Sequence, residues 1–373
     1  MSSERPLSVG DLVAALAERI PPEWAEAWDN VGLTVGDPAA PLTGVLVTLD
    51  ATAEAVARAI AEGANTVVSH HPAFLDPPQR IVAAGGPDGA LEAALRSGVA
   101  LYHAHTNLDR APAGADALSR ALGLSIVEPL ESSAEEIVVV TTFAPTDAVE
   151  ALRAAMGAAG GGRLGEYERC AFAISGTGYF DAREGAQPVV SGGGAGVSEV
   201  RLEMVVAPSR ADAVLEAARA AHPYQEPLVT AVPATRARGA ARLGRVCVWD
   251  GGATLGELAA HVGRTLGVSC RVWGDPARDV RRVAVANGSA GSLIGDARRS
   301  ADTLIAGEVR YHDALAAVVS GLAIIEAGHD ATEWPIVRVL ADAVRGCVPG
   351  SVSVIEELPA IGWWTTKESH VER

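Results

Sequence analysis

Lysine is nearly missing from this chain. Lys367 is the single lysine among 30 basic residues, so arginine supplies almost all the positive charge. That imbalance reads first as genomic composition bias. Basic charge as a whole is also short. Against 46 acidic residues the formal net charge is −16 at pH 7, which speaks against coating DNA or an anionic membrane by bulk electrostatics. Cysteine is scarce: Cys170, Cys247, Cys270 and Cys347 stand far apart, with no C-x-x-C pair. Neither a thiolate zinc site nor a redox motif is suggested, and Cys247, between Val246 and Val248, reads as a small buried hydrophobe. No apolar run approaches the ~20 residues that span a bilayer. Residues 1 to 20 are charged and lack the unbroken apolar core of a signal peptide. The expectation is a soluble, cytoplasmic protein with no nucleic-acid or membrane partner.

Apolar residues are plentiful: 49% of 373. That is ample for buried cores, for two or three domains, and against disorder. The fold class read from the pattern is α/β. Leu12, Val13, Leu16 and Ile20 share one face of a predicted helix that Pro21-Pro22 stops. Gly44 to Leu49 and Thr66 to Ser69 read as buried strands, Thr52 caps a helix between them, and Val99 to His103 reads as a third strand. This rhythm predicts a largely parallel sheet covered on both faces. It breaks near Glu131. From there to about Val232 the order is strand, helix, strand, strand, helix, strand, a ferredoxin-like α+β module. After an Arg/Ala/Gly-rich stretch the α/β rhythm returns, with strands at 283–286, 302–306 and 322–327 and Thr332 as the expected cap of a final helix to Arg345. The expected organisation is residues 1–130 and 239–373 as two α/β subdomains of one core, interrupted by the module at 131–238.

Three short clusters follow three of these strands: His70-His71-Pro72, His105-Thr106-Asn107-Leu108-Asp109, and Gly328-His329-Asp330-Ala331-Thr332-Glu333. Four of the nine histidines fall inside them. Open α/β sheets bind ligands beyond the carboxyl ends of their strands. Adjacent strand residues point to opposite faces, so His70 and His71 either follow a strand that has ended or serve two metals, one imidazole each. His329 and Glu333 are four apart, within reach of one site, and a carboxylate can bridge two cations. Mixed imidazole and carboxylate ligation suits Zn, Fe or Mn better than Ca or Mg. Glu308 and His312, i and i+4 on a predicted helix, are the candidate acid/base or outer-sphere groups. The expectation is a metal centre of two divalent ions at one rim of the sheet. Each piece also has an ordinary reading: a structural His-His-Pro, Asp109 as a turn residue, Glu333 as a helix-start acid. The turn Asn287-Gly288-Ser289-Ala290-Gly291 resembles a phosphate cradle but lacks a Walker lysine, and an ordinary tight turn is the preferred reading.

These residues resemble the NIF-three-like family, whose members are often labelled GTP cyclohydrolase 1 type 2 homologues. The matching motifs are Trp28-Asp29-Asn30-Val31-Gly32-Leu33, Ser69 to Pro72, His105 to Asp109, Gly307-Glu308 with Tyr311-His312-Asp313, and Gly328-His329 with Thr332-Glu333 and Pro335. The resemblance implies a homohexamer with a dinuclear metal centre. It also implies that His71 and Asp109 hold one ion, that His70 and His329 hold the other, that Glu333 bridges, and that His105 lies nearby. Residues 165–188 and His222 to Pro227 are similar to the insert of the longer bacterial members, itself similar to trimeric signalling and copper-tolerance proteins. Gly165-Glu166-Tyr167 and Tyr224-Gln225-Glu226 depart from that insert's usual segments, so no ligand role is carried over to it. Two functions follow as expectations. One is a metal-dependent hydrolase acting on a nucleotide or related small molecule, with Glu308 or His312 moving protons. The alternative is a non-catalytic metal-binding, metal-carrier or regulatory protein.

Overall fold

The computed structural model describes residues 6–81, 89–165, 167–190, 193–250 and 254–356, so Glu166 lies outside the described residues. The chain divides into two compact units. Residues 1–132 and 240–373 form the first, and 133–239 the second.

The first flank contains α1 (Val9–Arg19), β1 (Gly32–Val35), β2 (Gly44–Asp50), α2 (Ala53–Ala61), β3 (Thr66–His71), α3 (Gly89–Ser97), β4 (Ala100–His103), α4 (Thr106–Arg110), α5 (Pro112–Ala121) and β5 (Ser125–Pro129). The second unit contains β6 (Ala134–Ala144), α6 (Val149–Ala158), β7 (Phe172–Gly178), β8 (Val197–Val206), α7 (Ala211–Ala221) and β9 (Val229–Ala237). The second flank contains β10 (Arg245–Val248), α8 (Leu255–Leu266), β11 (Arg271–Trp273), β12 (Arg282–Val285), α9 (Ile294–Ser300), β13 (Thr303–Ala306), α10 (Tyr311–Val319), β14 (Ala323–Glu326), α11 (His329–Arg345) and β15 (Ser353–Glu356).

Helix starts follow local chemistry. The hydroxyl of Ser8 accepts from Asp11 N, and the Asp11 carboxylate accepts from Ser8 N, a capping box for α1. Thr52 caps α2 in the same way, accepting from Ala55 N.

The first unit holds two sheets where the sequence pattern suggested one kind. One has the order β1-β4-β3-β2-β15 and is parallel except for β1. Its strands read as unbroken apolar runs because both faces are buried. Val45, Val47, Leu49 and Val68 enter one core, while Leu46 and Val67 enter the other. Truncating a fully buried residue such as Leu46 to alanine costs about 2–5 kcal/mol. The other sheet has the order β11-β14-β13-β12-β10-β5, and only β12, β13 and β14 are mutually parallel. Antiparallel pairing adds β11 at one edge and β10 and β5 at the other. Those edge strands are short and partly exposed, so they carry little period-two signal.

The second unit is a four-stranded sheet of order β7-β8-β6-β9, antiparallel throughout. Its core gathers Val140, Leu152, Met156, Leu202, Met204 and Val214, from strands β6 and β8 and helices α6 and α7.

Three local expectations change. Strand β3 does not stop before the histidine pair: it runs through His71, which pairs with Asp50 of β2. Helix α11 starts at His329 rather than after Thr332. Gly328, at φ +93°, makes the turn, and Thr332 sits inside the helix with its hydroxyl donating back to the Gly328 and His329 carbonyls. Glu308 is not helical. Its backbone bridges Ser289, and α10 begins only at Tyr311.

Candidate metal centre

The carboxyl ends of both sheets in the first unit supply the site. Strand β3 delivers His70 and His71. The chain leaving β4 delivers His105 at the start of α4, and Asp109 follows one turn later. Strand β14 leads through Gly328 into His329, with Glu333 one helical turn on. Gly328 adopts a φ that L side chains rarely reach, so the helix can start against the sheet edge and point its first turn inward.

The rings then adopt one common arrangement. Each uses Nδ1 on an acceptor. His70 donates to the Ala104 carbonyl at 2.9 Å. His71 donates to Asp50 Oδ1 at 2.8 Å, His105 to Asp29 Oδ1 at 2.8 Å, and His329 meets Glu308 Oε1 at 3.2 Å. Because carbonyls and carboxylates only accept, Nδ1 carries a proton in each ring, and Nε2 is the nitrogen that can give a lone pair to the centre once any proton on it is displaced. An outer acceptor on the far nitrogen is the usual companion of a metal-bound imidazole.

The inward atoms crowd a common space. One donor atom each from His70, His71 and His105 lies within 4.8 Å of the others, and so do one each from His71, His329 and Glu333. Glu333 Oε2 is 2.9 Å from His71 Nε2 and 3.1 Å from His329 Nε2. His70 Nε2 is 3.7 Å from Asp109 Oδ2 and 3.9 Å from Glu333 Oε1. His70 Nε2 and Glu333 Oε2 are both buried: the first has no hydrogen-bond partner, and the second has only the two imidazole nitrogens that face it. Orphaned buried polar atoms are costly, and a cation seated among them satisfies both. The residues therefore fit a metal ion, and His71, His329 and Glu333 in particular could hold one.

His70 faces Asp109 and Glu333, and His71, which shares one cluster with His70 and His105, shares the other with His329 and Glu333. Gly288 forms one wall. A Cβ there would strike Glu333 Oε1 and come within 3.1 Å of His329 Nε2.

Electrostatics follow from the crowding. Burial disfavours a charged His71, but the carboxylates of Asp50 and Glu333 outweigh it and hold the ring's pKa at about 10. Glu333 raises His329 to about 9 against the effect of burial. Burial lowers His70 and raises Asp109. Burial alone would raise Glu333, but His329 and His71 hold it below the usual carboxylate range.

Of the predicted residues, the structure brings together His70, His71, His105, Asp109, His329 and Glu333. Glu308 reaches the group only through the outer face of His329, and its side chain is 62% exposed. His312 is not brought in. It is exposed and packs against Tyr311, because α10 begins after Glu308 and breaks the expected i, i+4 spacing. Sequence reasoning missed Asp29, Asp50 and Asn287. Asp29 also accepts from Thr106 N, and burial is outweighed by His105 and Thr106, which bring its pKa down to about 2. Its position inside Trp28-Asp29-Asn30 was the available signal. Asn287 donates to Asp109 Oδ1 at 3.3 Å. His103, two residues before His105, stays outside the cluster, its ring held between Ser69 and Thr34.

The chain is a mixed α/β protein whose imidazoles and carboxylates gather where its strands end and could hold a metal ion. The sequence model of the Duf34/NIF3 (NGG1p interacting factor 3) family matches residues 7–357, and the chain belongs to that family. It is 36% identical to a Mycobacterium leprae protein named GTP cyclohydrolase 1 type 2 homolog, over 93% of this chain and 92% of that one. A Bacillus subtilis protein of the same name is 34% identical, over 86% of this chain and 88% of its own. Among solved structures, a Bacillus cereus protein related to NIF3 superposes with a TM-score of 0.65 at 31% identity, covering 97% of this chain and all of that one. Among the described residues no helix is long and apolar enough to cross a membrane.

Proposed function

We propose that this chain holds two divalent cations, of Zn, Fe or Mn type, and acts as a metal-dependent hydrolase on a nucleotide or related small molecule. The observation that carries the reading is the shared orientation of four imidazoles, each anchored at Nδ1 with Nε2 turned to a common space. His70, His105 and Asp109 would hold one ion, His71 and His329 the other, and Glu333 would face both. Bound cations supply a water of lowered pKa near neutral pH. Around them, Asp29, Asp50 and Glu308 orient the imidazoles. Asn287 steadies Asp109, and Gly288 keeps its wall thin. Glu308, exposed beside His329, is the group placed to exchange a proton with solvent. The name shared by the relatives makes GTP the first substrate to test.

A second reading is metal carriage. It draws on the exposure of His329, 38% for its side chain, which leaves that face open to exchange. For the second unit, the strand and helix order with its β7-β8-β6-β9 sheet supports an inserted ferredoxin-like module, and the family resemblance supports a homohexamer.

Elemental analysis of purified, reconstituted protein should give about two ions per chain, followed by a hydrolysis screen of GTP and other nucleotides with and without metal. Turnover should disappear in His71→Ala. One ion per chain or fewer would sink the dinuclear reading, and turnover that survives His71→Ala would belong to a contaminant.

A further inference from the structure

A tryptophan at the edge of the cluster has no part in holding metal. Trp28 is 58% exposed, and its indole stands 6.0 Å, centroid to centroid, from the His105 ring at an interplanar angle of 74°. The His105 ring is in turn 5.2 Å from that of His70 and 5.5 Å from that of His71. Singly exposed hydrophobic side chains are ordinary on protein surfaces, but this one stands at the rim of the histidine cluster, where an exposed aromatic ring can take a planar partner.

The backbone around Trp28 is fastened on both sides. Glu26 N donates to Thr106 Oγ1 at 2.9 Å, and Asp29 accepts from His105 and Thr106. Asn30 reaches across to the Phe74 carbonyl at 2.9 Å, in the segment that follows His71. The indole is therefore carried by a loop bonded to both histidine-bearing segments of the first flank, and its exposure does not come from a loose loop.

We infer that Trp28 is the stacking platform for a planar, fused-ring heterocycle of purine class, which it holds against the cluster. The inference rests on the hydrolase reading and names its substrate class. Aromatic rings pair at centroid separations of about 4.5–7 Å, so a ring on the indole reaches the neighbourhood of His105 and His70. The indole is itself bicyclic, and a fused bicycle overlaps it more fully than a single ring does. Stacking recognises the π-face and leaves the sugar and phosphates free.

The test uses full-length, metal-reconstituted protein and calorimetric titration with guanosine, and with ribose 5-phosphate as a probe lacking the base. Stacking on an aromatic side chain is worth about 5- to 100-fold in affinity. Trp28→Ala should weaken guanosine by about tenfold or more, and Trp28→Phe by less than about threefold. Ribose 5-phosphate should bind all three proteins alike. Metal content and native mass, measured on the same samples, should not change. Equal guanosine affinity in Trp28→Ala overturns the inference, as does a wild-type protein that binds no guanosine. A changed native mass in Trp28→Ala also overturns it, by making the indole a subunit contact. Failure of the hydrolase reading would appear separately, as missing metal in the wild-type protein.

Discussion

The two sides of the candidate centre are built differently. On the inner side, His70 is fully buried and anchored on a backbone carbonyl, which cannot rotate away. His105 is anchored on Asp29, whose side chain is itself shielded and accepts from the backbone of Thr106. On the outer side, His71 and His329 lean on Asp50 and Glu308, whose side chains are 53% and 62% exposed. Solvated partners are screened and contribute little. Shielded partners fix ring angle and tautomer. The inner side is a pre-formed socket and the outer side an adjustable one. A hydrolase needs that combination, since a catalytic ion keeps an open coordination position while a structural one is closed.

The comparison breaks most completely at Glu333, which both sides share. Glu333→Gln should bring metal content below half of wild type while circular dichroism shows the fold intact. Unchanged stoichiometry would mean that the two sides do not depend on a common carboxylate. Gly288→Ala comes next. The added methyl strikes Glu333 Oε1, the oxygen that faces His70, and comes within 3.1 Å of His329 Nε2, and an L side chain is strained at φ +54°. It should lower metal content below two ions per chain. A variant that keeps both ions would show that the wall can retreat.

The histidines and carboxylates of the centre were legible because metal ligation needs particular residue types, and those types recur where buried strands end. The reach of β3 was not: the strand continues one pair further, with His71 opposite Asp50. Glu308 and His312 misled for a related reason. An i, i+4 spacing means one face only if the helix already exists, and here Glu308 is held in an extended bridge to Ser289. Asp29 is 76 residues from His105 in sequence, and a lone aspartate in a loop carries no periodic mark of the imidazole it will meet. Strands such as β11, three residues long, are stabilised by their neighbours and leave no pattern of their own.

The next contrast sets Asp29→Asn against Glu308→Gln. Losing an outer-sphere partner typically costs about 10- to 100-fold in metal affinity. Asp29→Asn should reach that range for the inner ion in competition with a chelator. Glu308→Gln, already solvated, should fall below about tenfold for the outer ion. Equal losses would erase the distinction between socket types.

The smallest effect is on metal-free protein, and its sign follows from the imidazoles. His71 and His329 are raised in the folded state to about 10 and about 9, from about 6.5 when unfolded. Folding therefore favours their protonated forms. That stabilisation is complete below pH ~6.5 and is lost as the pH climbs through about 9 and 10. The melting temperature of metal-free protein should fall across that window. A bound cation takes the Nε2 lone pair and displaces the proton, so metal-loaded protein should not show this fall. Glu333→Gln removes the carboxylate that His71 and His329 share, so the metal-free variant should lose most of the slope as well. A slope of the same size with metal bound would place those two imidazoles outside the coordination sphere, and the outer socket would be an ordinary carboxylate–imidazole cluster.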